Sequence, residues 1–212
     1  MEKELRVIQA ETMGGNGKDE AHQKVVGIGI VYDQWTEIFP GYKERIVRGA
    51  VRPDSVVKSF VNHEPGFVLA TTKSDPALEL NETAKGMEYT APIPPTSYGH
   101  DLMVNLERGN IAGSSFAFSV PKDGHKTWDE DGMFYREIRN LVLYEIGPVT
   151  DPAYVQTSAD LRVADSVMNE YQEYRNARSQ EAVADDISKQ RKAAQEGAER
   201  ERELQLIEYE VN

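Results

Sequence analysis

The sequence predicts an α+β fold, mainly β with α, followed by a C-terminal helical tail. Between residues 5 and 149, β-branched or alternating runs are bounded by Gly, Pro, Asn or Asp, which is typical of short strands. From residue 158 to residue 196 the chain has neither Gly nor Pro and is rich in Ala, Glu, Gln, Lys and Arg, which favours helix. A chain of 212 residues with 39% hydrophobic residues can bury one substantial core. We therefore predict a strand-rich domain over residues 1–157 and a charged tail over residues 158–212.

The predicted strands follow one another with short connections. In chain order they are ELRVIQAE, KVVGIGIVYD, YKERIVRGAV, SVVKSFVNH, FVLATTK, ALELNE and GMEYTAPI. The segment GGNGKDEAHQ after the first of them predicts a mobile loop rather than a phosphate cradle, because it lacks the lysine and the following helix of a P-loop.

Helical spacing interrupts this strand pattern once. Leu102 and Leu106 are four residues apart, Thr96 or Ser97 can cap the start, and Gly109 follows the end. We predict a helix over residues 98–108. The strand pattern resumes in IAGSSFAFSV, continues through a polar hairpin in PKDGHKTWDEDGM, and ends in FYREIRNLVLYEIGPVT.

The tail is predicted to form one long helix or two. Its apolar stripe is thin and consists of Val163, Val167, Tyr171, Tyr174, Val183 and Ile187. A helix with so narrow a stripe is marginal when isolated. Two interpretations remain open: a solvated tail, and a helix that binds a partner or targets the protein.

Composition excludes several classes of function. The formal net charge of −12, without clustered Lys or Arg, argues against a nucleic-acid binder. The absence of cysteine excludes disulfides, thiolate catalysis and Cys-ligated zinc, and the four histidines lack the spacing of a metal motif. The N-terminus lacks signal-peptide features, and no apolar run approaches the roughly 20 residues of a membrane helix. We expect a soluble, cytoplasmic protein without metal or cofactor.

Two short stretches contain candidate catalytic residues. His63 lies in FVNHEPGFVLATT, and Ser114 and Ser115 lie in AGSSFAF. Each stretch alone is weak, because a lone histidine is usually a surface or satisfied core residue and serines at a strand start usually bond local backbone. The serine pair also differs from the G-x-S-x-G motif of α/β-hydrolases.

In combination these stretches are far more specific. The blocks VNHEPGFVLATTK, PPTSYGHDLMVNLERGNIAGSSFAF and LYEIGPVTDPAY, in this order over residues 25–154, resemble the prohead (capsid maturation) proteases of tailed bacteriophages. In that family, Asn-His-Asp/Glu carries the histidine, and a Tyr-Gly-x-Asp helix precedes a Gly-x-Ser-Phe-Gly/Ala-Phe strand with the nucleophile. A segment of the form Glu-Val/Ile-x-Pro-Val-Thr-x-Pro-Ala-Tyr closes the domain.

The resemblance implies both a fold and a function. The fold would be a compact antiparallel β-barrel of the herpesvirus-protease type with packed helices. The function would be that of a serine endopeptidase that cleaves scaffold and/or major capsid protein, and itself, inside the assembling prohead in the host cytoplasm. Capsid protein and scaffold are the implied partners, the tail resembles a scaffolding portion, and a homo-oligomer is an option. The alternative is a catalytically inactive scaffold or assembly protein.

By register with the family, the nucleophile is Ser115, although Ser114 stands where relatives often have a larger residue and competes with it. A serine needs a base, and His63 suits this role because imidazole has an unperturbed pKa of about 6.5. For the third member we favour Glu145, an acid among apolar neighbours that would be costly to bury unpaired. The other interpretation is that Glu145 pairs with Arg136 or Arg139. The sequence does not identify the donors of an oxyanion hole.

Overall fold

The structure is a computed structural model that describes residues 2–9, 13–15, 23–52, 56–150 and 163–211. Within these residues lie thirteen strands and two helices. The strands are β1 (Glu4–Gln9), β2 (Met13–Gly15), β3 (Lys24–Ile30), β4 (Thr36–Phe39), β5 (Tyr42–Ile46), β6 (Lys58–Phe60), β7 (Val68–Thr71), β8 (Glu79–Glu82), β9 (Met87–Pro92), β10 (Ile111–Ser119), β11 (His125–Glu130), β12 (Met133–Ile138) and β13 (Val142–Thr150). The helices are α1 (Ser97–Glu107) and α2 (Asp165–Val211).

The described strands form three sheets. Their orders are β1-β10-β13-β6-β7, β11-β12-β5-β4 and β2-β3-β9-β8. Most pairs are antiparallel, but β12 pairs with β5, and β13 with β6, in parallel. The prediction of a mainly β fold with helices is confirmed. The closed antiparallel barrel is not found among the described strands, because a barrel requires its outermost strands to pair with each other and each sheet here ends in edge strands.

Strand β10 is the central element of the domain. It lies between β1 and β13 in its sheet, and nearly all of its residues are buried. Its core-facing residues Phe116 and Phe118 belong to the same hydrophobic core as Tyr89, Leu143 and Ile146. Burying side chains of this size stabilises a fold by roughly 1.5–3 kcal/mol each. The strand is therefore held rigidly on both edges and against the core.

Helix α1 begins one residue earlier than predicted. The hydroxyl oxygen of Thr96 accepts a hydrogen bond of 3.2 Å from the Gly99 amide and caps the helix. Leu102 and Leu106, the residues that predicted the helix, are both buried. Gly109 follows with a φ of +70°, a conformation that glycine adopts without strain.

The chain divides into two compact units, residues 1–165 and 166–212. The second unit is made of α2, a helix of 47 residues. On this helix Val183 and Ile187 are exposed, and Lys189 forms an ion pair with Asp185 one turn earlier. The boundary predicted between residues 157 and 158 lies outside the described residues. In the described part of the chain, neither helix has the apolar length that a membrane crossing requires.

A cluster of four buried charges, which the sequence did not predict, joins β1 to β5 and β12. We call Glu4, Arg6, Glu44 and Arg136 the buried charge cluster. Arg6 donates to both carboxylate oxygens of Glu44 at 2.8 Å, and Arg136 donates to both oxygens of Glu4 at 2.6 and 2.7 Å. Arg136 also donates to Glu44 at 2.9 Å, as does the hydroxyl of Tyr42.

The cluster is stable because each charge faces an opposite one. Burial alone would raise the pKa of Glu44, but the positive charges of Arg6 and Arg136, with hydrogen bonds from Arg6 and Tyr42, lower this pKa to about 2. Burial alone would lower the pKa of Arg136, but hydrogen bonds to Glu4 and the charges of Glu44 and Glu4 raise it above its ordinary value. The cluster therefore holds β1 against β5 and β12 through paired charges.

Candidate active site

The two serines of β10 point in opposite directions, as successive side chains of a strand do. The hydroxyl oxygen of Ser114 lies 3.2 Å from the Tyr89 hydroxyl, on the core side of the sheet. A Cβ atom on Gly27 would lie 2.9 Å from that oxygen, so the close packing at Ser114 requires glycine there. Ser115 faces the other side, with Val7 of β1 opposite on one edge and Gly147 of β13 on the other.

His63 lies in the turn that connects β6 to β7. The turn is closed by a hydrogen bond of 3.2 Å from the Val61 amide to the Phe67 carbonyl. Asn62 and His63 have φ angles of +52° and +59°, so two consecutive residues adopt the left-handed conformation. Asn and His are among the residues other than glycine that tolerate it best. This geometry directs the His63 side chain back toward the sheet.

Glu145 lies on β13, two residues before Gly147. Gly147 is directly opposite Ser115, and alternation along β13 therefore places Glu145 on the same face of the sheet as Ser115. A Cβ atom on Gly147 would lie 2.3 Å from the carbonyl oxygen of Phe60, the last residue of β6. The glycine thus lets β6, and the turn with His63 that follows it, approach β13 closely.

The three predicted side chains come together in a line. Nδ1 of His63 lies 2.6 Å from Oε1 of Glu145, and Nε2 of His63 lies 2.6 Å from Oγ of Ser115. Ser115 is fully buried, while the side chain of His63 is 23% exposed and that of Glu145 is 12% exposed. A neutral imidazole with its proton on Nδ1 donates to Glu145 and accepts from Ser115, which is the arrangement that activates a serine.

The Ser115 hydroxyl has a second acceptor. Its oxygen lies 2.9 Å from the carbonyl oxygen of Arg6 in β1. A hydroxyl has one proton, so Ser115 donates either to Arg6 or to His63 at any moment. Strand β1, which the buried charge cluster fixes, is therefore part of the surroundings of the serine.

The arginines that were considered as partners for Glu145 bind other carboxylates. Arg136 belongs to the buried charge cluster, and Arg139 pairs with Glu137 at 2.6 Å. Glu137 also binds Arg45. The two other acids near the motifs, Glu64 and Asp101, are exposed. The hydrogen bond that Glu145 accepts from His63 thus agrees with the burial argument made from the sequence.

A cavity of about 360 Å³ lies beside the turn that carries His63. Its apolar wall includes Phe67, which is 44% exposed and whose ring centre lies 5.5 Å from that of Tyr98. Its lining residues are Val61, Asn62, Glu64, Phe67, Tyr98, Asp101, Leu102, Asn105 and Ile111. Sequence reasoning missed this cavity, because its walls come from a turn, a helix and a strand end that are distant in sequence.

Sequence reasoning also missed Asn62, the residue before His63. Its side-chain oxygen accepts hydrogen bonds from the backbone amide and the hydroxyl of Thr150, at 2.8 and 3.0 Å. The signal in the sequence was its place in the Asn-His-Asp/Glu motif, which was used only to locate the histidine. Across the described ranges, no group of three or more His, Asp or Glu side chains is arranged to hold a metal ion.

Comparison with known proteins adds three findings. Residues 9–174 match the model of a family described as caudovirus prohead serine protease, and this range includes Ser115, His63 and Glu145. The chain is similar to the solved structure of the bacteriophage T4 capsid assembly protease, with 13% identity, coverage of 72% of this chain and 100% of that chain, and a TM-score of 0.38. No curated protein sequence matches the chain.

Proposed function

Because the chain belongs to the caudovirus prohead serine protease family, it is a serine protease of capsid maturation, and we propose that Ser115, His63 and Glu145 are its catalytic residues. In this proposal Ser115 is the nucleophile, His63 the general base and Glu145 the acid that orients the base. The observation that carries it is the line of two 2.6 Å contacts that joins the serine, the imidazole and the carboxylate. No cofactor or metal takes part.

The proposed reaction proceeds through an acyl-enzyme. The Ser115 oxygen attacks the carbonyl carbon of the scissile peptide bond while its proton passes to Nε2 of His63. The C–N bond breaks, and the leaving amine takes that proton. A water molecule then attacks the ester, giving one proton to His63, which returns it to Ser115. Throughout, the Glu145 carboxylate accepts the Nδ1 hydrogen bond and stabilises the imidazolium.

The proposed substrates are the scaffold, the N-terminal segment of the major capsid protein, and the protease itself. Membership of the prohead protease family supports this choice. The proposed site of action is the interior of the assembling prohead, in the host cytoplasm. The cavity beside the His63 turn offers space for substrate side chains near the scissile bond, because its apolar wall includes the exposed Phe67 and the half-buried Tyr98.

The tail over residues 158–212 is proposed to be a scaffold-like or partner-binding segment. The exposed Val183 and Ile187 on the long, charged helix α2 support it, because such a stripe can pair with a helix of coat protein, scaffold or a second copy of the chain. We further propose that the domain has the herpesvirus-protease type of fold. Its support is the order of the histidine and serine motifs and the predominance of antiparallel pairs.

The test is co-expression of the protein with the capsid protein and scaffold of its phage, followed by intact-mass spectrometry. New fragments that vanish with Ser115→Ala would support the protease with the residues proposed. Fragments that persist in Ser115→Ala would reject Ser115 as the nucleophile. Full assembly without any cleavage would favour the inactive scaffold protein.

A further inference from the structure

Asn62 joins the turn that carries His63 to the strand that carries Glu145. Its side-chain oxygen accepts from both the amide and the hydroxyl of Thr150, at 2.8 and 3.0 Å. Its backbone amide donates to the carbonyl oxygen of Pro148 at 3.0 Å. Asn62 therefore forms three hydrogen bonds with β13, two as acceptor and one as donor, and all three lie within five residues of Glu145.

These hydrogen bonds hold the backbone of the turn in a strained conformation that it would otherwise leave. Asn62 and His63 both have positive φ angles, which residues with a Cβ atom adopt only when their surroundings compensate for the strain. If the bonds to Thr150 were lost, the turn would lose its side-chain attachment to β13. His63 would then move relative to Glu145 and Ser115.

The consequence for catalysis follows from the short distances. His63 must be within hydrogen-bond reach of two atoms, one on β13 and one on β10, and both contacts are 2.6 Å. Misplacing a catalytic group by about 1 Å can slow an enzyme by roughly 100-fold. A residue that fixes the turn on β13 thus fixes the distance between base and acid.

We propose that Asn62 is a positioning residue: its side-chain oxygen, held by Thr150, sets the place of His63 between Glu145 and Ser115. This inference rests on the proposed catalytic role of His63. It concerns the alignment of the base and does not involve contact between Asn62 and the reacting atoms.

The chain offers a graded set of variants. Asn62→Asp keeps an oxygen that accepts from both Thr150 donors and is also a residue type that tolerates the left-handed conformation. Asn62→Ala removes the acceptor. Thr150→Val removes only the hydroxyl donor and keeps the amide donor. Asn81→Ala, at an exposed asparagine of β8, is the matched control.

The first readout is modification of the serine by a fluorophosphonate, followed by intact-mass spectrometry of the full chain. We expect Asn62→Ala to lower the maximal modification rate at least 10-fold, without changing the probe concentration that gives half of that rate. Thr150→Val should give a smaller loss, while Asn62→Asp and Asn81→Ala should react like wild type. A wild-type rate in Asn62→Ala would overturn the proposal, as would an equal loss of rate in Asn62→Asp.

The second readout does not depend on reactivity. The proton that His63 shares with Glu145 should give a resolved downfield signal in the proton NMR spectrum, assigned by its loss in His63→Ala. We expect this signal to persist in Asn62→Asp and to be lost or shifted in Asn62→Ala, at temperatures where both are folded. An unchanged signal in Asn62→Ala would overturn the positioning role. If instead the proposed catalytic role of Ser115 is wrong, the fluorophosphonate would modify Ser115→Ala as fast as wild type. This result would not depend on the residue at position 62, so it is distinct from failure of the positioning proposal.

Discussion

Ser114 and Ser115 are consecutive in β10, but Ser114 lies against Tyr89 in the core, whereas Ser115 lies against His63. The difference follows from the alternation of a strand whose register with β13 is regular at these two positions. A slip of one residue would exchange the two serines. The register of β10 therefore decides which serine lies against His63.

The two serines should respond differently to substitution. We expect Ser115→Ala to lower the rate of cleavage of the co-expressed capsid protein by a factor of about 10,000 or more. The variant lacks the nucleophile, so only cleavage that does not pass through an acyl-enzyme would remain. Ser114→Ala should keep cleavage within about tenfold, because its hydroxyl faces Tyr89 on the core side of the sheet, away from His63. Intact-mass spectrometry of time points would measure both rates. Loss of cleavage in Ser114→Ala alone would transfer the nucleophile to that residue.

Replacement of Glu145 by glutamine tests whether its carboxylate orients the His63 imidazole. In Glu145→Gln the amide can donate to Nδ1 of His63, and the imidazole then places its own proton on Nε2, facing Ser115. Such a tautomer cannot accept the serine proton, and the equivalent change in serine proteases lowers kcat by about 10,000-fold. We expect a similar loss on a peptide that spans a mapped cleavage site.

Two controls show whether the loss of activity in Glu145→Gln is specific to the site. The control Glu79→Gln, at an exposed acid of β8, should cleave like wild type. Glu145→Gln should also keep a Tm close to wild type, because the two side chains have nearly the same volume. Wild-type kcat in Glu145→Gln would show that another group orients His63.

Gly147→Ala should displace β6 and, with it, the turn that carries His63. The new Cβ would lie 2.3 Å from the carbonyl oxygen of Phe60, so β6 and the turn after it must move. We expect a loss of about 1–3 kcal/mol in the free energy of unfolding, as for other overpacked positions, and a loss of cleavage larger than the unfolded fraction explains. Gly197→Ala is the control, since nothing lies within 4 Å of its added Cβ. Equal behaviour of the two variants would contradict the close approach.

The buried charge cluster predicts a pH dependence of stability. The pKa of Glu44 is about 2 in the folded protein, below the roughly 4.3 of an unfolded chain. Between these values the unfolded state binds a proton that the folded state does not, so stability falls as the pH falls, by about 1.4 kcal/mol per unit for this group. Above about pH 4.3 its contribution should be fully present. Urea unfolding followed by the fluorescence of Trp35 and Trp128 would measure it.

Glu44→Gln should remove this contribution to the slope. It should also destabilise the protein at neutral pH by about 3–5 kcal/mol, because Arg6 and Arg136 remain buried with one carboxylate between them. Glu79→Gln should change the free energy of unfolding by less than about 0.5 kcal/mol. If the acid slope of Glu44→Gln equals that of wild type, the cluster is not the source of the pH dependence.

The sequence predicted most of the local structure. The runs KVVGIGIVYD and GMEYTAPI lie on β3 and β9, and the Leu102 and Leu106 spacing found α1, because these patterns depend on neighbours in the chain. The three residues of the candidate site were also predicted, by motif resemblance and by the cost of burying Glu145 unpaired. The structure brings them together.

The features that were missed depend on distant contacts. Glu4 and Arg6 alternate with apolar residues along β1, and Glu44 and Arg136 each lie beside another charged residue, so all four resemble solvent-facing charges in the sequence. They are buried because strands from two sheets cover one another at this place. The parallel pairing of β6 with β13 and the left-handed turn at Asn62 likewise follow from contacts across about 85 residues of sequence, which one sequence does not show.

The position of β10 has a consequence for the life of the newly made polypeptide. Among the described strands, its two neighbours in the sheet, β1 and β13, are the first and the last in chain order, so they are also the first and the last of these strands to leave the ribosome. Until β13 is translated, Ser115 has a neighbour on one side only, and the carboxylate that would orient His63 has not been made. Under the proposed mechanism, a growing or truncated chain that lacks β13 cannot activate Ser115. We therefore expect proteolysis to begin only after synthesis of the whole domain is complete.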